Sequence, residues 1–229
     1  MMWNFCLQSV FREYGWRFIR RIAAPHPWRT AKAFLQAGAI DISDDMVRLS
    51  GGFSPGSRSI VGVGFCLKPM HPPCPSGRPN HDCVFLEHPS PFDLQACRSC
   101  TVRELGTLAL KAGSAFYIMT SARDILSDVF MPSLRESRFT SAVFLLCAYS
   151  LRPFAVGMLA SGIQGCLFQF RHGDCRDYGQ WLLADRGIKN EQTVIHESSR
   201  AAIRGILAGA QRQPAPVQFK RRGNIYFAA

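Results

Sequence analysis

The sequence has no long hydrophobic run and comparatively few charged side chains. Its longest apolar stretch covers only residues 142–149, which is too short to cross a bilayer as a helix. Charged residues make up 19% of the 229 residues and apolar residues 47%, a balance that excludes an intrinsically disordered chain. We therefore expect one α/β domain with a hydrophobic core and a small N-terminal extension.

Acidic residues are scarce. The chain has 16 Asp and Glu against 27 Lys and Arg, which gives a formal net charge of +11. The basic excess lies mainly in residues 1–50 and 211–229 rather than in the middle of the chain. This distribution argues against a central basic groove, so we do not expect nucleic acid to bind there.

The first residues do not predict a secretory signal, because Asn4, Gln8 and Arg12 interrupt the apolar core that such a signal needs. Residues 3–23 instead predict a helix with a basic side. Two interpretations stay open: the helix packs on the domain, or it makes a peripheral contact with an anionic membrane surface. We expect a cytoplasmic protein, with or without attachment to the inner face of the membrane. The odd number of cysteines, nine, also favours a reducing compartment.

The pattern along the chain predicts three parts. Residues 1–50 form an N-terminal helical extension, 59–210 a cysteine-rich α/β domain, and 211–229 a mobile basic tail. Residues 41–58 are polar and rich in Gly and Ser, and they are interpreted as the connector before the domain. Strands alternate with helices, which predicts a mostly parallel sheet with helices on both faces.

Individual elements follow from periodicity and from Gly and Pro positions. The predicted strands cover residues 59–67, 115–120, 141–148 and 163–170. The predicted helices cover 28–38, 101–113, 122–130, 152–161, 174–185 and 197–210. Thr101 and Glu104 have the spacing of a capping box, and Pro132 is expected to close the helix before it. Seven prolines in residues 68–96 predict a long irregular loop after the first strand.

Most of the cysteines follow a predicted strand or lie in the loop that leaves one. In a parallel sheet the carboxyl ends of the strands share one edge, and ligands bind outside that edge. We therefore predict that seven cysteines from separate segments meet there as metal ligands. These are Cys66, Cys74, Cys83, Cys97, Cys100, Cys147 and Cys175. Cys6 is expected to pack on a helix face, and Cys166 is a mid-strand thiol outside the site.

An iron–sulfur cluster of the [4Fe–4S] type is the favoured cofactor. The thiols outnumber the four that one zinc ion needs, and two closely spaced Cys-x-x-Cys pairs are absent. The expected function is then an unidentified redox or cluster-handling role with an unidentified redox or protein partner. One alternative is a zinc-stabilised module that binds a membrane surface or nucleic acid through its basic ends. Another is a thiol-dependent enzyme that uses Cys97 with Cys100, or Cys175 with His172 as base. Incidental cysteines are the remaining interpretation.

Several cysteine motifs resemble those of one protein family. Cys66-Leu67-Lys68 with Cys74-Pro75-Ser76 is similar to the Cys-Leu-Arg…Cys-Pro-Ala signature of the domain-of-unknown-function family numbered one hundred and sixteen, with Lys68 at the arginine position. The further similar segments are Cys97-Arg98-Ser99-Cys100, Phe144–Cys147, Ile163-Gln164-Gly165 and Gly173-Asp174-Cys175. The resemblance runs from about residue 60 to 177. It implies an α/β domain with clustered cysteines and metal binding, and it implies no particular reaction.

Overall fold

A computed structural model describes residues 12, 14–88, 94–209 and 219–228. It confirms the α/β class, with an eight-stranded mixed sheet that is mostly parallel and has helices packed against it. The strands are β1 (Met46–Leu49), β2 (Ser59–Gly64), β3 (Ala115–Met119), β4 (Ser141–Leu146), β5 (Gln164–His172), β6 (Val194–Ile195), β7 (Phe219–Arg222) and β8 (Ile225–Ala228). The α-helices are α1 (Gly15–Phe18), α2 (Pro27–Gly38), α3 (Val84–Glu87), α4 (Gln95–Arg98), α5 (Thr101–Lys111), α6 (Ala122–Ile125), α7 (Met131–Glu136), α8 (Ala148–Ser161), α9 (Tyr178–Asp185) and α10 (Glu197–Ala208).

The central strands are parallel and the edges are antiparallel. The strand order is β1-β5-β4-β2-β3-β8-β7, and β6 pairs with β5 beside this path. β2 runs parallel to β3 and β4, and β4 runs parallel to β5. Every residue of β4 is buried, which explains its continuous apolar sequence: a central parallel strand is covered on both faces. The carboxyl ends of these four strands therefore share one edge of the sheet.

Side-chain alternation along the strands builds one core on each face of the sheet. Ile60 and Phe144 belong to the core that α2 and α8 cover, together with the N-terminal segment. Val61 and Val143 belong to the opposite core, which α5 and α10 cover. Layers on both faces leave the strand ends as the natural place for a site.

The structure corrects the predicted connector and the predicted end of the helix before Pro132. The connector of residues 41–58 contains β1, a four-residue edge strand that pairs antiparallel with β5. The helix predicted to close before Pro132 continues instead through the π-helical turn Leu126–Phe130 into α7, and Pro132 lies in the first turn of α7.

The predicted capping box at Thr101 and Glu104 is not formed. The N-cap of α5 is Cys100, and Thr101 lies inside the helix, where its hydroxyl accepts a hydrogen bond from Arg200 at 3.1 Å. Glu104 forms an ion pair with Arg204 rather than capping the helix. The polar pair therefore joins α5 to α10.

The prediction of a mobile tail is wrong for residues 219–228. β7 and β8 form an antiparallel hairpin whose second strand pairs with β3, so this segment extends the sheet. Tyr226 is fully buried in the core beside α5. Arg221 contacts the carboxylates of Asp82 and Glu87, each at 2.6 Å, and is therefore not a free basic group.

The predicted N-terminal helix is described only in part, as residues 3–11 and 13, with Cys6, lie outside the described residues. The described part consists of α1 and the π-helical turn Ile19–Ala23. Tyr14, Phe18 and Ile22 are buried in the core on one side of this segment. None of the described helices combines the length and apolarity that a membrane crossing requires.

Candidate functional site

The seven predicted cysteines fall into two groups at the carboxyl side of the central strands. The first group, called the loop thiols, lies in the irregular loop, within α4 and directly before α5. It consists of Cys74, Cys83, Cys97 and Cys100. The second group, called the strand-end thiols, lies in the turns directly after β2, β4 and β5. It consists of Cys66, Cys147 and Cys175.

Cys74 connects the loop thiols electrostatically. The pKa of Cys83 is raised to about 12, mainly by burial, and negative charges on Cys100 and Cys74 contribute to this shift. Burial also raises the pKa of Cys97 and of Cys100, and a charge on Cys74 adds to both shifts. Like charges disfavour one another most strongly at short range, so a bound cation would favour the thiolates of Cys83, Cys97 and Cys100.

A buried lysine lies among the loop thiols. Lys68 is only 1% exposed, and its ammonium group donates hydrogen bonds to the carbonyl oxygens of Gly77 at 3.1 Å and Asn80 at 2.9 Å. Burial lowers the pKa of Lys68, and negative charge on Cys74 or Cys83 would oppose that shift. The hydrogen-bond partners of the ammonium are neutral oxygens, and the carboxylate of Asp82 and any ionised neighbouring thiols offset its charge from nearby.

The C-terminal hairpin holds the loop in place. The hydroxyl of Tyr226 accepts a hydrogen bond from the backbone N–H of Cys83 at 2.9 Å and lies 2.8 Å from a carboxylate oxygen of Glu87. Arg221 joins Glu87 to Asp82, as described above. These contacts offset the ordering entropy of a loop that has few large apolar residues.

Two of the three strand-end thiols, Cys147 and Cys175, contact each other. The backbone N–H of Cys175 lies 3.4 Å from the sulfur of Cys147, and the ammonium group of Lys189 lies 3.8 Å from the sulfur of Cys175. Hydrogen bonding to the Cys147 thiol lowers the pKa of Cys175 to about 7, and the charge of Lys189 acts in the same direction. The same hydrogen bond raises the pKa of Cys147. Burial raises the pKa of Cys66.

A cavity of about 110 Å³ opens beside the strand-end thiols. All three sulfur-bearing residues line it, and its walls are mainly apolar side chains from the strand ends and from α8 and α9. They include Met119, Leu146, Phe154, Phe170 and Trp181. The cavity therefore occupies the edge where α/β sheets bind ligands.

Arg78 connects the two groups. Its guanidinium donates hydrogen bonds to the backbone carbonyls of Lys189 at 2.8 Å and Cys66 at 3.3 Å. Burial lowers the pKa of Arg78, and negative charge on Cys66 or Cys74 would oppose that shift. The irregular loop is thus attached to the segment that carries Lys189.

Within the described ranges, no three His, Cys, Asp or Glu side chains are grouped so that they could hold a single metal ion. A tetrahedral zinc site needs its sulfurs about 4 Å from one another. Binding one ion therefore requires the loop thiols to move closer together. Assignment of the seven cysteines as metal ligands stays a prediction.

The structure also places the remaining residues considered from sequence, and it adds two that the sequence analysis did not identify. His172 is exposed at the end of β5, and Lys189, rather than His172, contacts the buried Cys175. Cys166 is buried inside β5 and away from both groups, as expected. The sequence analysis missed Lys189 and Tyr226. No local pattern marks Lys189, whereas the Gly-Asn pair before Ile225 is a hairpin signal.

Comparisons with known proteins add nothing to this description: no family model, no curated protein and no solved structure matches the chain. The resemblance of the cysteine motifs to the family of unknown function therefore stays a prediction.

Proposed function

We propose that this chain is a metal-binding protein whose loop thiols hold an iron–sulfur cluster for electron transfer or cluster handling. The proposal narrows the predicted ligand set from seven cysteines to four. Its main support is the buried ammonium of Lys68, which lies beside the loop thiols with neutral oxygens as its hydrogen-bond partners.

The positive charge of Lys68 gives a reason for its position beside the loop thiols. A buried cation is costly unless an anion is close. Four cysteine thiolates around a cluster give the assembly a net negative charge, and Lys68 would then offset part of it. Without the cluster, raised pKa values favour the protonated forms of Cys83 and Cys100, and the carboxylate of Asp82 remains as a nearby negative charge.

Backbone groups at two helix starts add to this support. Cys83 precedes α3 and Cys100 precedes α5. The backbone N–H groups of Val102 and Arg103 favour the thiolate of Cys100, and those of Phe85 and Leu86 favour the thiolate of Cys83. Such donors stabilise sulfur ligands and tune the reduction potential of a cluster. A bound cluster would supply one-electron chemistry, and these residues would orient and stabilise its sulfur ligands.

Elemental analysis tests the proposal. After anaerobic purification and reconstitution with iron and sulfide, we expect about four iron and four sulfide per chain, with thiolate-to-iron absorption in the visible spectrum. One equivalent of zinc and no bound iron after the same treatment would instead assign the loop thiols to a structural zinc site. A chain that retains neither metal contradicts both.

We also propose a peripheral contact with an anionic membrane through the exposed side of the N-terminal segment. Trp16 is 67% and Trp28 is 87% exposed, although large aromatic side chains are usually buried in a core. Arg17, Arg20 and Arg21 are exposed beside them. Tryptophan at the headgroup level together with arginine is typical of helices that lie on a membrane surface.

Vesicle binding checks this contact. The Trp16→Ala/Trp28→Ala double variant should bind vesicles of mixed phosphatidylserine and phosphatidylcholine at least about tenfold more weakly than the parent chain in a sedimentation assay. Ile188→Ala, which removes a 52% exposed apolar side chain elsewhere, should bind normally. Equal binding to pure phosphatidylcholine, or an unaffected double variant, would contradict the proposal.

A further inference from the structure

The strand-end thiols form a second chemical site that does not depend on a metal at the loop thiols. We propose that Cys147 and Cys175 are a redox-active dithiol that reduces an apolar, low-molecular-weight disulfide admitted through the cavity at the strand ends. The proposal goes beyond metal binding, because it assigns a covalent exchange reaction to a site with its own geometry.

Proximity of the two sulfurs is the first support. The turn after β5 brings the backbone N–H of Cys175 to 3.4 Å from the sulfur of Cys147, although the two residues are 28 positions apart. Both sulfurs follow adjacent parallel strands, β4 and β5, so the sheet itself holds the pair together. Neighbouring cysteines on rigid elements are the arrangement that can close and reopen a disulfide.

Lys189 identifies the attacking sulfur. Its ammonium group lies 3.8 Å from the sulfur of Cys175, where it stabilises a thiolate. Cys147 contributes its thiol as a hydrogen-bond donor to that thiolate. Cys175 therefore attacks first and Cys147 resolves, which is the usual division of roles in a dithiol pair.

The cavity determines the class of substrate. It holds about 110 Å³, which is room for several water molecules or a small organic group, and apolar side chains form most of its wall. Cys175 is buried and lines the cavity together with the partly exposed Cys147, so the cavity gives a disulfide a route to both residues. An apolar disulfide would replace water along the walls, whereas a charged one would lose its hydration.

The exchange balances in atoms and electrons. The Cys175 thiolate attacks one sulfur of the disulfide RSSR, forms a mixed disulfide and releases RS⁻. That thiolate takes the proton of Cys147, whose sulfur then attacks Cys175. The new Cys147–Cys175 bond forms as the second RS⁻ leaves and takes a proton from water. Two protein thiols are oxidised and one disulfide is reduced to two thiols, and a dithiol reductant such as dithiothreitol restores the pair.

Trapping with a defined disulfide tests the proposal on the full chain. The reduced protein is mixed anaerobically with di-n-propyl disulfide, and the remaining thiols are alkylated and mapped by mass spectrometry. We expect a Cys147–Cys175 disulfide in the parent chain and a propylthio adduct on Cys175 in Cys147→Ala. Cys166→Ala, which removes a buried thiol outside the site, should behave as the parent. Oxidised glutathione should react at least about tenfold more slowly than the apolar disulfide.

Lys189→Met provides a second measurement that leaves both sulfurs in place. Adduct formation at Cys175 should slow by about tenfold, because a smaller fraction of Cys175 is thiolate once the ammonium is gone. Lys111→Met should have no effect. Adducts spread evenly over all thiols, or an unchanged rate in Lys189→Met, would overturn the proposal.

Iron analysis separates this proposal from the metal proposal. Cys147→Ala and Cys175→Ala should retain as much iron as the parent chain after reconstitution. If either loses its iron, the pair belongs to the metal site, and the dithiol role is rejected while the metal role stands. If no variant binds iron but the disulfide still forms, the metal role is rejected and the dithiol role stands.

Discussion

After anaerobic reconstitution, the Cys74→Ala variant should retain at least about tenfold less iron than the parent chain. Cys74 is the loop thiol whose charge affects the pKa of Cys83, Cys97 and Cys100 alike, so its removal takes away the sulfur that the others share as a neighbour. Loss of a residue that only orients a metal ligand already lowers affinity by about 10–100-fold, and loss of a ligand should cost at least as much. Bound iron per chain after desalting is the measurement.

Cys166→Ala is the matched control for this variant. It removes one buried thiol from the same chain, yet Cys166 lies inside β5 and outside both groups of thiols. Its iron content should equal that of the parent chain. A similar loss of iron in both variants would mean that iron binds nonspecifically to cysteines, and retention of iron in Cys74→Ala would remove that residue from the ligand set.

The largest effect on stability should come from Gly165→Ala. Gly165 opposes Ala142 in the β4–β5 ladder with a φ angle of +137°, and a Cβ built on it would lie 1.8 Å from the carbonyl oxygen of Ala142. Both the backbone strain and the clash must be relieved by separating two central strands. We expect the free energy of unfolding to fall by about 4 kcal/mol and the melting temperature by about 10 °C.

Gly205→Ala serves as the control for glycine replacement. Gly205 lies in α10, and a Cβ placed there would meet no atom within 4 Å. Because alanine is a better helix former than glycine, this variant should be as stable as the parent chain or more stable by up to about 1 kcal/mol. Thermal unfolding followed by circular dichroism compares the two. A Gly165→Ala variant that melts with the parent would contradict the close approach of β4 and β5.

The centre of the fold could be predicted from sequence because burial imposes a clear pattern there. β4 is covered on both faces and is therefore apolar throughout, and β2 and β3 are recognised by the same rule. Edge elements carry a weaker signal. β1 has only four residues within a polar connector, and the β7–β8 hairpin follows a Pro-rich stretch that indicated a tail, although Gly223-Asn224 is a recognisable turn.

The edge on which the cysteines lie was also predictable, whereas their division into two groups was not. Topology alone places the ends of β2, β4 and β5 together. The path of the irregular loop instead depends on contacts with residues far along the chain, such as Tyr226 with Cys83 and Arg78 with Lys189. Sequence patterns report local structure and burial, and they carry no signal for such pairings when only one sequence is considered.

The contact between Cys83 and Tyr226 affects how the chain matures. The two residues are 143 positions apart, so a ribosome that adds about 5–20 residues each second produces the cysteine loop roughly seven to thirty seconds before its anchor. During that interval the nascent loop exposes its sulfurs to oxidants and to any free metal in the cell. If the loop thiols hold the proposed cluster, its loading should therefore be most selective after translation has passed Tyr226, once the hairpin contacts the loop.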